Sequence, residues 1–199
     1  MERVAVIGMG GIGSHLMYHV NQLCGAEQFK NYEFTIFDDD TIEPKNLAYQ
    51  HFLDEHMGLA KVAAIDAQCW MIPRLILKRE RADAKTLAND YSVVISCVDS
   101  AGWRRDFFST SAEKLKYWID LRSEGRTVAA YTKHKKNTKE ALLATVSGSN
   151  ENSGSCQLKF ELDKGIIQAG NRIIALVGVQ FLLNYYNSEA NMPSFNQRF

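Results

Sequence analysis

Apolar positions along the chain follow two alternating rhythms. Arg3–Ile7, Phe34–Phe37, Leu75–Lys78, Tyr91–Cys97, Tyr117–Leu121 and Thr127–Tyr131 are short runs rich in β-branched and aromatic residues, which predict strands. Between them, Ile12, Leu16, Val20, Leu23 and Cys24 recur at helical spacing, and Gly25 follows as a plausible C-cap. Further helices are predicted over Leu59–Trp70, which stops before Pro73, and over Ala101–Leu115. Strand and helix alternate from residue 3 to about residue 121, the pattern of a doubly wound, Rossmann-like α/β fold with a mostly parallel sheet.

After Thr132 the rhythm breaks. Lys133, His134, Lys135, Lys136 and Lys139 open a long loop that runs to about residue 156 and ends in the Gly/Ser/Asn-rich stretch Ser147–Ser155. A strand at Ala141–Val146 is the one element expected inside it. Ile166–Tyr186 is apolar on most sides and predicts a helix buried in the core or at a subunit contact. The tail from Asn187 to Phe199 gives little signal, and the mostly parallel sheet is expected to carry a C-terminal antiparallel extension. The whole chain, 1–199, reads as a single nucleotide-binding domain. Its core spans about 1–131, its crossover loop about 132–156 and its C-terminal helix about 166–187.

Composition narrows the function classes. With 23 basic and 23 acidic residues the net charge is zero, which argues against a broad nucleic-acid or membrane-surface role. No apolar run is long enough to span a bilayer. Cys24, Cys69, Cys97 and Cys156 contain no Cys-x-x-Cys pair, so a structural zinc site is not expected and a reducing, cytoplasmic setting is. His15 and His19 lie one helical turn apart, but no third ligand accompanies them.

The chemistry starts at Gly8-Met9-Gly10-Gly11-Ile12-Gly13, between a strand and a helix. Glycines allow a tight turn and close backbone approach to phosphate, and the helix N-terminus supplies free N–H groups and a positive dipole end. This predicts nucleotide binding without choosing between NAD, FAD and ATP. Asp38, at the end of the second strand, holds the place of a ribose-binding carboxylate, with Asp40 as the next candidate. The other reading of Asp38–Asp40 is a solvated loop start.

The residues that follow are unlike those of an ordinary dehydrogenase. Asp38-x-Asp40-Thr41-Ile42 leads to Asn46-Leu47-Ala48-Tyr49-Gln50, then to Gly58-Leu59-Ala60-Lys61-Val62, and later to Cys97-Val98-Asp99-Ser100 and Arg104. In order and type these motifs resemble the ThiF/MoeB/ubiquitin-activating adenylyltransferase superfamily. The resemblance covers residues 4–105. It implies ATP and magnesium as cofactors, with Asn46 and Lys61 at the phosphates, Gln50 shaping the same pocket and Asp99 holding the metal. The implied reaction is attack of a ubiquitin-like or sulfur-carrier protein's C-terminal carboxylate on the α-phosphate of ATP, giving an acyl-adenylate and pyrophosphate. A homodimer is also implied. Lys61 also reads as a helix-surface lysine, and Asp99 as a cap for the helix after it.

Three features depart from the family pattern. Tyr49 stands where the family has arginine, and a phenol offers phosphate neither permanent charge nor a bidentate fork. Arg104, Arg105 and Arg122 are the candidate compensators. The family's paired zinc cysteines are absent. Only Met1-Glu2-Arg3 precede the first strand, so the arginine that an N-terminal segment carries to the partner subunit's ATP site in some relatives is not expected here. In ubiquitin-activating relatives a loop cysteine accepts the activated carboxyl as a thioester, which makes Cys156 the candidate nucleophile. Asp120 and Arg122, at the end of a predicted strand, either position a substrate tail or pair with each other. Two alternatives stay open: an NAD(P)-dependent oxidoreductase and a non-catalytic nucleotide-binding scaffold.

Overall fold

A computed structural model describes residues 1–146 and 163–199. Among these residues seven strands form one sheet: β1 (Glu2–Ile7), β2 (Tyr32–Phe37), β3 (Leu75–Lys78), β4 (Val93–Ser96), β5 (Tyr117–Glu124), β6 (Thr127–Thr132) and β7 (Ser194–Arg198). Their spatial order is β3-β2-β1-β4-β5-β6-β7. The first five run parallel, with Val4 of β1 opposite Phe34 of β2 on one side and Val93 of β4 on the other. A hairpin at Gly125 turns β5 back into antiparallel β6, and β7 pairs antiparallel with β6. The tail thus completes the expected antiparallel extension. Its strand was not legible because Ser-Phe-Asn-Gln-Arg is a polar, half-exposed edge without alternation.

The helices among the described residues are α1 (Gly11–Gly25), α2 (Lys61–Gln68), α3 (Leu87–Asp90), α4 (Ala101–Thr110), α5 (Lys139–Ala144) and α6 (Gly170–Tyr186). Side chains of β1 alternate between the two faces of the sheet, as period-2 geometry requires. Val4 and Val6 join a core with Ile12 and Leu16 of α1, Val62 and Ile65 of α2, and Ile174 and Leu182 of α6. Ala5 and Ile7 join a second core with Leu87 of α3, Phe107 and Phe108 of α4, and Leu142 of α5. Both faces of the central strands are therefore covered, which explains their unbroken apolar runs.

One predicted element is corrected. Residues 141–146 are not a strand: the segment begins with helix α5, whose N-cap Thr138 accepts a hydrogen bond from the Ala141 N–H at 3.2 Å. Glu140 lies in its first turn, favourably placed toward the helix dipole. Three helices are shorter than their apolar patterns suggested. α2 ends at Gln68 and α4 at Thr110, while α6 starts at Gly170.

The chain passes from β3, at one edge, across β1 to β4, so the strand order reverses between β1 and β4. At such a switch point the loops after neighbouring strands diverge and leave a crevice at the strands' carboxyl ends. The candidate site lies there. No described helix is long and apolar enough to cross a membrane.

Candidate functional site

The glycine loop shapes the crevice floor. Gly8 takes a positive φ of 88° directly after β1, and a Cβ there would meet the Cys97 carbonyl oxygen at 3.1 Å. A side chain at Gly13 would be driven into the carbonyl oxygen of Gly8. Only glycine at both positions lets α1 start tightly against β1 with its N-terminus facing the crevice. Gly13 is thus a packing residue, whereas Gly8, Gly10 and Gly11 line the cavity itself.

Asp38 emerges from β2 beside this loop. Its carboxylate accepts the Met9 N–H at 2.7 Å and the Asp40 N–H at 2.9 Å. Burial pushes its pKa up, with Lys61 and these two N–H groups pulling partly the other way. It is therefore a held, largely buried carboxylate rather than a solvated loop start, while Asp39 and Asp40 are exposed.

Lys61 is brought to the aspartates by a local clasp. The Ile42 N–H donates to the Leu59 carbonyl and the Lys61 N–H to the Asp40 carbonyl, while Thr41 bridges to Ala60. The Lys61 ammonium then sits 2.6 Å from Asp40 Oδ2 and 3.9 Å from Asp38 Oδ1. It is 5% exposed, so it is no surface lysine.

The segment between these aspartates and α2 folds over the N-terminus of α1. A 3-10 turn at Pro44–Asn46 is closed by Asn46, whose Oδ1 accepts the Glu43 N–H at 2.9 Å. With its oxygen committed, Asn46 has its amide N–H groups left to offer. The His51 N–H donates to Ser14 Oγ at 2.9 Å, and the His51 ring packs on Tyr18 with centroids 4.2 Å apart. Gln50 is buried against the cavity, and its Oε1 has no hydrogen-bond partner. An orphaned amide oxygen of this kind is costly unless a ligand or water completes it.

These elements enclose a cavity of about 680 Å³, within the range that accommodates nucleotide-sized ligands. Gly8, Gly10, Gly11, Asp38, Asp40, Asn46, Gln50, Lys61 and Asp99 all line it, as does Tyr49. Asp99 does not cap α4. Ser100 does so, accepting the Trp103 N–H at 3.1 Å, and the Asp99 carboxylate is left exposed in the cleft. The carboxylates of Asp38, Asp39 and Asp40 also come within 4.8 Å of one another; among the described residues this is the one group of three or more His, Cys, Asp or Glu side chains close enough to share a metal ion.

Arg104 lies elsewhere. It is 7% exposed, and its Nε donates to Asp120 Oδ1 at 2.9 Å while its Nη2 donates to the Val98 and Leu121 carbonyls. Arg122 binds the second oxygen of Asp120 at 2.7 Å and stacks over Tyr131, 4.6 Å from the ring centre. Asp120 is thus the hub of a buried ion triad, joined by Ser96 Oγ at 3.0 Å. The pairing reading of Asp120 and Arg122 holds, and neither Arg104 nor Arg122 nor Arg105 lines the cleft. The cations that do line it beside Lys61 are Lys45 and Arg81, which sequence reasoning missed. Arg81 follows the carboxyl end of β3, a position that the strand-end rule for open sheets would have flagged.

Cys156 lies outside the described residues. Burial pushes the thiols of Cys24 and Cys69 up to about 11 and about 12 respectively, so both are protonated, weak nucleophiles at neutral pH.

The sequence matches the ThiF family over residues 1–199. No curated protein sequence matches it. Among solved structures, it is similar to PaaA (TM-score 0.65, 16% identity, covering 100% of this chain and 61% of that one). It is similar to Escherichia coli MccB with ATP (TM-score 0.64, 12% identity, 99% and 63%). It is also similar to E. coli tRNA N6-threonylcarbamoyladenosine dehydratase, TcdA, in complex with AMP (TM-score 0.65, 16% identity, 94% and 86%). The chain spans about three fifths of the length of PaaA and MccB. A match over the full sequence, a seven-stranded Rossmann-like sheet and the glycine-loop cleft agree: the chain belongs to the ThiF family.

Proposed function

We propose that the chain is an ATP-dependent adenylyltransferase that activates the C-terminal carboxylate of a ubiquitin-like or sulfur-carrier protein. The observation that carries this reading is the convergence of Asn46, Gln50, Lys61 and Asp99 on the glycine-loop cleft, from three separate stretches of sequence. Structural relatives crystallised with ATP or AMP, and MccB crystallised with AMPCPP and MccA, support it.

The cleft's residues fit the nucleotide. The α1 N-terminus and the backbone N–H groups of the glycine loop receive phosphate oxygens, Asp38 receives the ribose, and the unpartnered Gln50 amide gains a ligand. Asn46 and Lys61 orient and neutralise phosphate oxygens. Asp99, an oxygen donor in the cleft, would hold magnesium, which spreads the charge developing on the phosphates. The attacking carboxylate bonds to the α-phosphorus as the bond to the pyrophosphate oxygen breaks. Pyrophosphate leaves with that electron pair, and the product is the acyl-adenylate. The homodimer and the thioester step at Cys156 belong to this proposal.

Tyr49 lines the cleft where a guanidinium would serve catalysis, and this favours a second reading, a scaffold that binds nucleotide without turning it over. Exchange of labelled pyrophosphate into ATP, assayed with carrier proteins encoded beside the gene, separates the two. Carrier-dependent exchange is expected. Tight ATP binding with no exchange, under conditions in which Tyr49→Arg restores it, would establish the scaffold.

A further inference from the structure

Five carboxylates line the cleft, Asp38, Asp39, Asp40, Glu80 and Asp99, against three cations, Lys45, Lys61 and Arg81. A triphosphate entering this space meets a surplus of negative charge, so the placement and freedom of each cation matter. Lys61 is locked by burial between Asp38 and Asp40. Arg81 leaves β3 on the outer side of the cleft and is paired with Asp39 at 2.9 Å.

Lys45 differs from both. It sits on the Pro44–Asn46 turn, immediately before Asn46 and four residues before Tyr49. That turn continues through hydrogen bonds from the Tyr49 and Gln50 N–H groups to the Asn46 carbonyl, and is anchored by His51 to Ser14 in the first turn of α1. The turn thereby holds Lys45 at the cleft, on the segment anchored to the first turn of α1, with Tyr49 and Asp40 near enough to act on its ammonium electrostatically. Its ion pair with Glu43, at 2.6 Å, joins side chains 70% and 57% exposed. A pair that open to water is worth little, so exchanging Glu43 for a phosphate oxygen costs little.

We propose that Lys45 is a phosphate-binding residue of this chain, swinging from Glu43 onto the terminal phosphates of ATP and supplying the positive charge that Tyr49 lacks. The proposal rests on the reading of the cleft as an ATP site. Lysine serves here as a mobile point charge, in contrast to the fixed fork of an arginine. It therefore selects triphosphate over monophosphate without fixing the geometry of the transferred group.

Calorimetric titration of the full chain with ATP and, separately, AMP, both with magnesium, tests this. Lys45→Ala is expected to weaken ATP binding about tenfold or more and to leave AMP binding within about twofold, whereas Lys45→Arg retains ATP. Adding Tyr49→Arg to Lys45→Ala is expected to recover ATP affinity, because the new guanidinium reaches the same phosphates. ATP binding that is unchanged in Lys45→Ala, or that falls equally with AMP, overturns the role of Lys45 while leaving the ATP site intact. A wild-type chain that binds neither nucleotide overturns both.

Discussion

Replacing Lys61 with alanine is expected to damage activity and stability together, and the stability loss should depend on pH. Under the proposed function the ammonium would neutralise phosphate oxygens in the transition state, and removing such a group costs about 10²–10³-fold in turnover. The folded protein loses as well, because Asp38 is left largely buried without its cation. Breaking a fully buried pair costs about 3–5 kcal/mol. The nearer partner, Asp40, is 60% exposed, so we expect about 2 kcal/mol after allowing for solvent screening. Burial already raises the pKa of Asp38, and losing Lys61 raises it further. An acid whose folded pKa lies above its unfolded value penalises the folded state when ionised, and the penalty fades as pH falls through the folded value. Urea unfolding of Lys61→Ala should therefore show its largest deficit near neutrality and a smaller one near pH 4. A pH-independent deficit would mean that Asp38 does not feel Lys61.

The second large effect is expected at residues that do not line the cleft. Asp120 is fully buried and binds Arg104, Arg122 and Ser96. Burial alone would raise its pKa, but the two guanidiniums outweigh that and hold the carboxyl below its ordinary value of 3.8. A depressed folded pKa means stability that is complete above the unfolded value and lost as pH falls through the folded one. Asp120→Asn keeps the shape but leaves the buried Arg104 and the partly buried Arg122 without their carboxylate, and should destabilise the chain by about 3 kcal/mol at pH 7. Wild type should lose stability below about pH 4, and Asp120→Asn should lose less there. Urea midpoints collected from pH 7 down to pH 2.5 check both. Because the triad ties β4, β5 and α4 together beneath the Asp99 loop, its loss should also weaken nucleotide binding.

These two sites mark what sequence could and could not reveal. The glycine loop and Asp38 were visible from their places after β1 and β2, and Asn46, Gln50, Lys61 and Asp99 from motifs that resemble the ThiF superfamily; apart from Gly13, which packs against Gly8, these site residues line one cleft. Arg104 matched a motif position, but a motif does not say which way a guanidinium points; here it turns inward to Asp120. Lys45 was invisible because an exposed cation in a polar segment looks like any other until the fold brings it to the cleft, whereas Arg81 was overlooked although it follows the carboxyl end of β3. The α5 segment was misread because Ala-Leu-Leu-Ala-Thr-Val is too short for periodicity to separate helix from strand. Its Thr138 cap, four residues upstream of Leu142, was the overlooked signal. The edge strand β7 carried no alternation to read.

The central claim is that the cleft holds ATP, and titration calorimetry of the purified chain against ATP with magnesium, and against NAD, tests it most directly. The account predicts one ATP bound per chain, with affinity reduced in Lys61→Ala, and no measurable heat beyond dilution with NAD. Binding of NAD with no binding of ATP would contradict it, and would return Asp38 and the glycine loop to dehydrogenase chemistry.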